Sequence, residues 1–289
     1  MEDFHLGRFG VVGTGRVAQA LALALVGRSA EPPCIWGRAP ERASAVSART
    51  GGEVAASLEE LAAACDVIVL AVSDDAIASV VEDLTRLWPA GSNRFVFHVG
   101  GKSGAAILDP LRACGALTAA IHPAMTFTGD PEREIVRMAE ARFAVTGASG
   151  DALTLAREVV ARLGGIAVEV GEEQRTLYHA ALCHASNHLV TLLAGALGAL
   201  ARAGVDDPAA LVAPLVRAAL ENSLDRGFAA LSGPVLRGDV QTVEDHVAAL
   251  RVECPELLAA YRAMALVTAE ELDRRGAARN GGALRDALK

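Results

Sequence analysis

The sequence predicts an α/β protein, a doubly wound and mostly parallel sheet followed by an all-helical C-terminal domain. Three observations carry that expectation. A glycine turn, Gly13-Thr14-Gly15, stands between a short apolar strand and a helix near the head of the 289-residue chain. Short β-branched runs then alternate with helical patterns as far as Gly171, the signature of βαβ units feeding a parallel sheet. Beyond Gly171 the pattern is helical throughout.

Each element follows from local pattern. Residues 9–12 form the first strand and 17–26 the first helix. A second strand at 34–36, a helix at 40–50 and a short strand at 54–55 come next. Ser57-Leu58-Glu59-Glu60 is a capping box, opening a helix to Ala64. Residues 67–72 are a continuous apolar run, as in a parallel strand buried on both faces. Asp74-Asp75 then caps a helix toward Leu87. Strands follow at 95–99, 118–121, 143–146 and 166–170, with a helix after the glycine loop 100–104. Helices are expected at 173–203, 208–226, 240–250 and 255–276. Only the last dozen residues read as a candidate disordered tail.

Composition bounds the function. With 52% hydrophobic residues, the chain can bury one large core or two smaller ones. Its net charge is −8, and Lys102 and Lys289 are its only lysines. A protein that grips nucleic acid by its phosphates carries a basic face, so nucleic acid is excluded as a partner. Cys34, Cys65, Cys114, Cys183 and Cys254 are scattered, odd in number and without a CxxC pair. That argues against a disulfide framework or a structural zinc site. The acidic start, Met1-Glu2-Asp3-Phe4-His5, is unlike a signal peptide, and the run 17–26 is too short to span a bilayer. These features point to the cytoplasm and to no membrane partner.

The turn itself carries chemistry. Gly13-Thr14-Gly15-Arg16-Val17-Ala18 fits G-x-G-x-x-A at a strand-to-helix junction, the Rossmann dinucleotide fingerprint. Gly13 permits the tight turn, and Gly15 lets backbone approach a pyrophosphate. Ala18 lets the helix pack on the strand, and the N-terminal N–H groups of that helix then face the anion. Residues 1–171 are therefore expected to be a dinucleotide-binding domain, and 172–289 a helical substrate and dimerisation domain. The second strand ends Trp36-Gly37-Arg38, with no acid to hold a ribose 2′-hydroxyl. Arg38, with Arg42 beside it, offers a fork for a 2′-phosphate, so NADP is expected over NAD; a solvated surface arginine is the bland alternative. The missing acid also weighs against an S-adenosylmethionine methyltransferase. Val72 and Ser73 should lie along a ribose, and Val99 and Gly100 near the nicotinamide, because strand carboxyl ends face the ligand crevice.

Taken in order, the motifs resemble a known group. They are the glycine turn, Ala71-Val72-Ser73-Asp74-Asp75, the run from Phe97 to Gly101, and His122-Pro123-Ala124-Met125-Thr126-Phe127. Tyr178-His179 with Ser186-Asn187 follows, and then Gly233-Pro234-Val235-Leu236-Arg237-Gly238-Asp239 with His246. The chain is similar over nearly its whole length to bacterial Rossmann-like oxidoreductases whose C-terminal half is a domain of unknown function. That group sits in the 6-phosphogluconate dehydrogenase-like superfamily, beside pyrroline-5-carboxylate reductases and β-hydroxyacid dehydrogenases. The resemblance implies an NADP-dependent reductase acting on the C=O or C=N group of a small metabolite. Some members are thought to be ketopantoate reductases, so a 2-ketopantoate-like 2-oxo acid is the first substrate expectation. Related β-hydroxyacid dehydrogenases carry a catalytic lysine one turn before a helical asparagine. Here Asn187 is present, but Cys183 holds the earlier position, and Lys102 in the glycine loop is the amine that could replace it. That departure favours a second reading, a non-catalytic NADP-binding regulator or sensor.

A reductase must orient its substrate and supply a proton. At about 100° per residue, His179, Cys183, Ser186 and Asn187 share one face of the long helix, with His184 and His188 on another. His179 is then the expected proton donor and Asn187 the hydrogen-bond donor, unless both are structural polar residues of a core. His184 and His188 have zinc-ligand spacing but no clear third ligand, so no metal is expected. His122, extended by Pro123, either lines the substrate pocket or shapes a turn. Arg237 either holds a substrate carboxylate or pairs with Asp239. Helices at 189–200 and 211–220 are apolar around much of their circumference, which predicts a homodimer.

Overall fold

The computed structural model describes residues 6–89 and 91–289. The acidic N-terminal pentapeptide lies outside the described residues. Eight strands form one sheet: β1 (Phe9–Val12), β2 (Cys34–Trp36), β3 (Glu53–Val54), β4 (Val67–Leu70), β5 (Phe95–His98), β6 (Leu117–Pro123), β7 (Arg142–Gly147) and β8 (Ile166–Glu169). Their order is β3-β2-β1-β4-β5-β6-β7-β8, with every neighbouring pair parallel except β6 and β7. The helices of this part are α1 (Arg16–Leu25), α2 (Pro40–Thr50), α3 (Leu58–Ala64), α4 (Ile77–Leu87), α5 (Asp109–Ala113), α6 (Pro131–Met138) and α7 (Gly150–Arg162). The chain winds outward from β1 to β3 and returns to β4 on the other side. The β1/β4 junction is therefore a topological switch point, where α/β sheets open a crevice.

The central strands β1, β4 and β5 bury both faces, as their sequence requires, while the edge strands β3 and β8 are largely exposed. Val67 and Val69 of β4 join one apolar cluster with Phe9, Val11, Phe95 and Phe97. Ile68 and Leu70 join another, with Val12, Val96 and Leu61. This two-residue alternation is the pleat. Each side chain so buried contributes roughly 1.5–3 kcal/mol. The capping box forms: Ser57 Oγ accepts from Glu60 N at 3.0 Å, and Glu60 Oε2 accepts from Ala56 N at 2.6 Å. Asp74-Asp75 instead sits in a single 3₁₀ turn, Asp74–Ala76, ahead of α4. In this part of the chain two helices, α6 and α7, lie where the sequence pattern predicts none. Asp130 caps α6 and Ser149 caps α7, each accepting from a backbone N–H three residues on.

After β8, a short 3₁₀ turn leads into α8 (Arg175–Arg202), followed by α9 (Pro208–Arg226), α10 (Pro234–Arg237), α11 (Val240–Glu253), α12 (Pro255–Arg274) and α13 (Gly281–Ala287). The chain divides into two compact units, Met1–His184 and Ala185–Lys289. The sheet does end close to Gly171, but the boundary between units falls inside α8. The reason is Arg175. Its buried guanidinium donates to Thr146 Oγ1 at 2.7 Å, Ala120 O at 3.0 Å and Ala144 O at 3.1 Å, pinning the first turn of α8 to β6 and β7.

The second unit has a small core of Val243, Val247, Ala265, Leu284 and Leu288. The candidate disordered tail is a correction: the last residues include α13, which buries Leu284 and Leu288 against α11 and α12. Elsewhere this unit is under-buried. No residue of α9 is buried, and Leu215 and Leu224 are 70% and 78% exposed. The segment Glu172–Arg202 is long and apolar enough to cross a membrane by length and composition, and none of its apolar window is buried within the chain.

Candidate functional site

A cleft of about 870 Å³ opens in the first unit at the carboxyl ends of β1, β2, β4 and β5. One end is the glycine turn. Gly13, Thr14, Gly15, Arg16 and Val17 line it. Gly13 has φ +132°, and a Cβ there would stand 2.3 Å from the carbonyl oxygen of Ala71, so only glycine fits. Gly15 has nothing within 4 Å of its would-be Cβ, and as N-cap of α1 it supplies no side chain to the helix N–H groups. The first turn of α1 holds no acid. Its unpaired donors and positive dipole therefore stand at the cleft. Ala18 is fully buried beneath α1, in the packing role its size suggests.

The tip of β2 forms the adjoining wall, with Trp36, Gly37, Arg38 and Arg42. Opposite lie Val72, Ser73, Asp74 and Asp75 after β4, and Ser79, Val80 and Asp83 on α4. Asp75 is held below the usual carboxylate range by a hydrogen bond from Ser73, by the backbone N–H groups of its turn, and less by Arg38. The α4 residues went unnoticed in the sequence, although Ser79 and Asp83 are one turn apart and thus share a face. Phe127 also lines the cleft, and its carbonyl accepts from Arg16 Nη1 at 3.4 Å. The loop after it is clasped by buried Glu134, whose Oε1 accepts from Thr128 N and Gly129 N.

The far end is built from Val99, Gly100 and Gly101 with two imidazoles, His122 and His179. Gly101 packs directly on both rings: a Cβ there would stand 2.6 Å from His179 Cδ2 and 2.9 Å from His122 Nε2. His122 Nδ1 is 2.9 Å from the Tyr178 hydroxyl. Burial pushes the His122 pKa down to about 4, with Arg175, His179 and His98 adding to the effect. His179 meets His122 edge to face, with ring centroids 6.1 Å apart, and its Nε2 lies 3.7 Å from Cys183 Sγ. His98, by contrast, is outside the cleft lining and fully buried. Its Nδ1 accepts from Gly100 N at 3.1 Å, so its Nε2–H donates to Gly104 O at 2.8 Å and shapes the glycine loop. Burial, first, and Arg175 hold His98 at about 4, against the pull of its Gly104 bond.

Other expected residues fall elsewhere. Lys102 is exposed and outside the cleft lining, because Gly100 and Gly101 turn inward and the next residue turns out. Asn187 belongs to the second unit, on α8. Arg237 is 61% exposed and lies 4.0 Å from Asp239, the residue that caps α11 through Thr242 N at 3.2 Å. Its surroundings are those of the ion pair that formed the alternative reading. Among the described residues, no group of three or more His, Cys, Asp and Glu side chains could hold a metal ion. Tyr178 and Arg175 had been given no role from the sequence. Their spacing of three, with His179 at four, was the available signal.

Two family descriptions match this architecture in succession, a Rossmann-like domain over residues 4–123 and a domain of unknown function, DUF2520, over residues 141–268. The chain is a Rossmann-like domain joined to a DUF2520 domain. The part of the motif resemblance that joins a Rossmann-like domain to a C-terminal domain of unknown function is thereby borne out. No curated protein matches the sequence. Among solved structures, a candidate NADP oxidoreductase from Bacteroides fragilis is 18% identical, covering 91% of this chain and 97% of its own, with a TM-score of 0.76. A reductive aminase from Aspergillus terreus, in complex with NADPH and ethyl-5-oxohexanoate, is 17% identical over 99% of this chain and 100% of its own, at 0.71. An imine reductase from Myxococcus stipitatus, in complex with NADP+, is 19% identical over 97% of this chain and 99% of its own, at 0.70. At these identities the likeness establishes a shared fold.

Proposed function

We propose that this chain is an NADP-dependent reductase acting on the carbonyl or imine carbon of a small anionic metabolite. One observation carries the proposal. A single cleft runs from the uncapped N-terminus of α1 and Arg38, at one end, to Gly100, Gly101 and two imidazoles at the other. The first end suits a pyrophosphate and a 2′-phosphate, with Arg42 beside Arg38. Val72 and Ser73 would flank a ribose, and Val99 and Gly100 the nicotinamide. The proteins of like fold that were solved with NADPH or NADP+ support the same cofactor. Bound NADPH supplies the hydride. The chain's part is to orient the acceptor and to supply one proton at its oxygen or nitrogen, from one of the two imidazoles. Asn187 is assigned to hold that heteroatom, on the helical face it shares with His179 and on the motif resemblance, and Arg237 to hold a carboxylate, because an anionic substrate needs a cation. A 2-ketopantoate-like 2-oxo acid is the preferred substrate, and the imine reductases of like fold keep C=N chemistry as the other class.

The helical part from residue 172 onward is assigned to substrate binding and dimerisation. A second copy of the chain is the partner proposed to cover the exposed apolar faces of α8 and α9, whose polar residues and pinned first turn suit a protein interface better than lipid. The acidic balance and scattered cysteines favour a cytoplasmic setting. Fluorescence titration with NADPH and NADH, followed by NADPH oxidation against a panel of 2-oxo acids and cyclic imines, tests the reading. Failure to bind NADPH overturns it. Tight NADPH binding with no oxidation across the panel favours the sensor.

A further inference from the structure

Resting on the reductase reading, the source of the proton can be traced further. An imidazole that delivers its proton as a cation must be charged at working pH, and His122 is too deeply buried for that. Yet it lines the cleft and turns Nε2 toward Gly101, while Nδ1 meets the Tyr178 hydroxyl at 2.9 Å. Tyr178 in turn has the Arg175 guanidinium carbon 5.9 Å from its ring centroid. Arg175 is itself buried, its hydrogen-bond partners are two carbonyls and a hydroxyl, and its Nη1 has no hydrogen-bond partner.

We propose that Tyr178 is the positioning residue of a neutral proton relay and that His122 is the catalytic group it feeds. The Tyr178 O–H donates to His122 Nδ1, which leaves the single imidazole proton on Nε2, facing the cleft. In the reduction, the Nε2–H bond breaks and its proton goes to the substrate oxygen or nitrogen. Nδ1 takes the tyrosine proton in the same movement. The ring stays neutral and only changes tautomer. The negative charge comes to rest on the phenolate of Tyr178, whose ring centroid lies 5.9 Å from the Arg175 guanidinium carbon, and solvent later restores the phenolic proton. Burial keeps Tyr178 protonated at rest, while Arg175 works in the opposite sense and lowers the cost of the phenolate. Among the described residues, the groups that bond to His122 or act on its charge are Tyr178, Arg175 and His179 on α8 and His98 on β5, none of them a carboxylate that would favour an imidazolium. His179 then becomes a hydrogen-bonding neighbour of the substrate and not its acid.

The test has an arm that needs no substrate. Long-range ¹H–¹⁵N NMR of the full-length protein at neutral pH, with His122 assigned through His122→Gln, reports the tautomer directly. The Nε2–H form is expected in the native protein, and a mixture of tautomers in Tyr178→Phe. An Nδ1–H form in the native protein overturns the relay. The kinetic arm uses NADPH with 1-pyrroline and with pyruvate as probes. Tyr178→Phe should lower kcat about a hundredfold, as loss of general acid catalysis does, with the Kd for NADPH unchanged and a larger solvent deuterium isotope effect. Undiminished turnover in Tyr178→Phe overturns the relay alone. Failure of the native protein to bind NADPH overturns the reductase reading and the relay together. Where neither probe turns over, the tautomer decides.

Discussion

Two neutral buried imidazoles make stability depend on pH in a window that can be stated in advance. His98 and His122 are both held at about 4 in the folded chain, against an ordinary 6.5. As the pH falls through 6.5, each takes a proton in the unfolded chain but not in the folded one. Stability is therefore full above 6.5, falls across the window from 6.5 to 4, and levels off below it. At pH 5 the solution lies about 1.5 units below 6.5, which is worth about 2 kcal/mol for each histidine and about 4 for both. That is a large part of a typical 5–15 kcal/mol. Carboxylates held low, such as Asp75, Asp239 and Glu271, lose their contribution only as the pH falls below their ordinary values of 3.8 to 4.5. The interval from pH 7.5 to 5 thus isolates the histidines. Urea midpoints across it should fall by on the order of 1 M or more, given a slope of about 1–3 kcal/mol per molar. His98→Gln should flatten the dependence by about half. A midpoint that does not move between pH 7.5 and 5 would refute the reasoning.

The remaining predictions concern cofactor, assembly and chemistry. Arg38→Ala should weaken NADPH binding by roughly ten- to a hundredfold and leave NADH nearly unchanged, since a hydrogen bond to a charged group is worth about 1.5–3 kcal/mol; equal native affinity for the two cofactors would count against it. Light scattering at micromolar concentration should show a dimer. Leu215→Glu with Leu224→Glu should yield a folded monomer, and a native monomer would refute the interface. Asn187→Ala should lower turnover about a hundredfold while NADPH still binds, the usual cost of one oriented donor; unchanged turnover would remove Asn187 from the site.

The sheet was legible because its central strands, β1, β4 and β5, are buried on both faces and read as short apolar runs. All eight expected strands are present, down to the three residues of β2. What escaped was context-dependent. The antiparallel pairing of β6 and β7 has no local signature, since either direction buries Ile121 and Val145 equally well. α6 and α7 announce themselves through Asp130-Pro131 and Ser149, but such caps are short signals and were outweighed by the strand pattern around them. α13 looks polar in isolation, and only two leucines about one helical turn apart, Leu284 and Leu288 at i and i+4, hold it to the small core.

The same division runs through the site. Residues carried at strand ends come together: Gly13 to Val17, Arg38, Val72, Ser73, Val99, Gly100 and His122 all line one cleft, with His179 from the start of α8. Each follows from chain direction, because the carboxyl ends of parallel strands must face the same crevice. Tyr178 could not be found that way. A helical face chosen to include His179 and Asn187 leaves the preceding residue about 100° away, and its partner, His122, lies 56 residues earlier in the chain. What brings the two together is Arg175, buried against the carbonyls of β6 and β7. A charged residue at the start of an apolar helix reads as surface, so the sequence hid the anchor that orients the helix and, with it, the tyrosine. The general consequence is chemical. In a cleft where burial keeps an imidazole neutral, as it does His122, the acid must be sought among the groups hydrogen-bonded behind it, not only among those that line the wall.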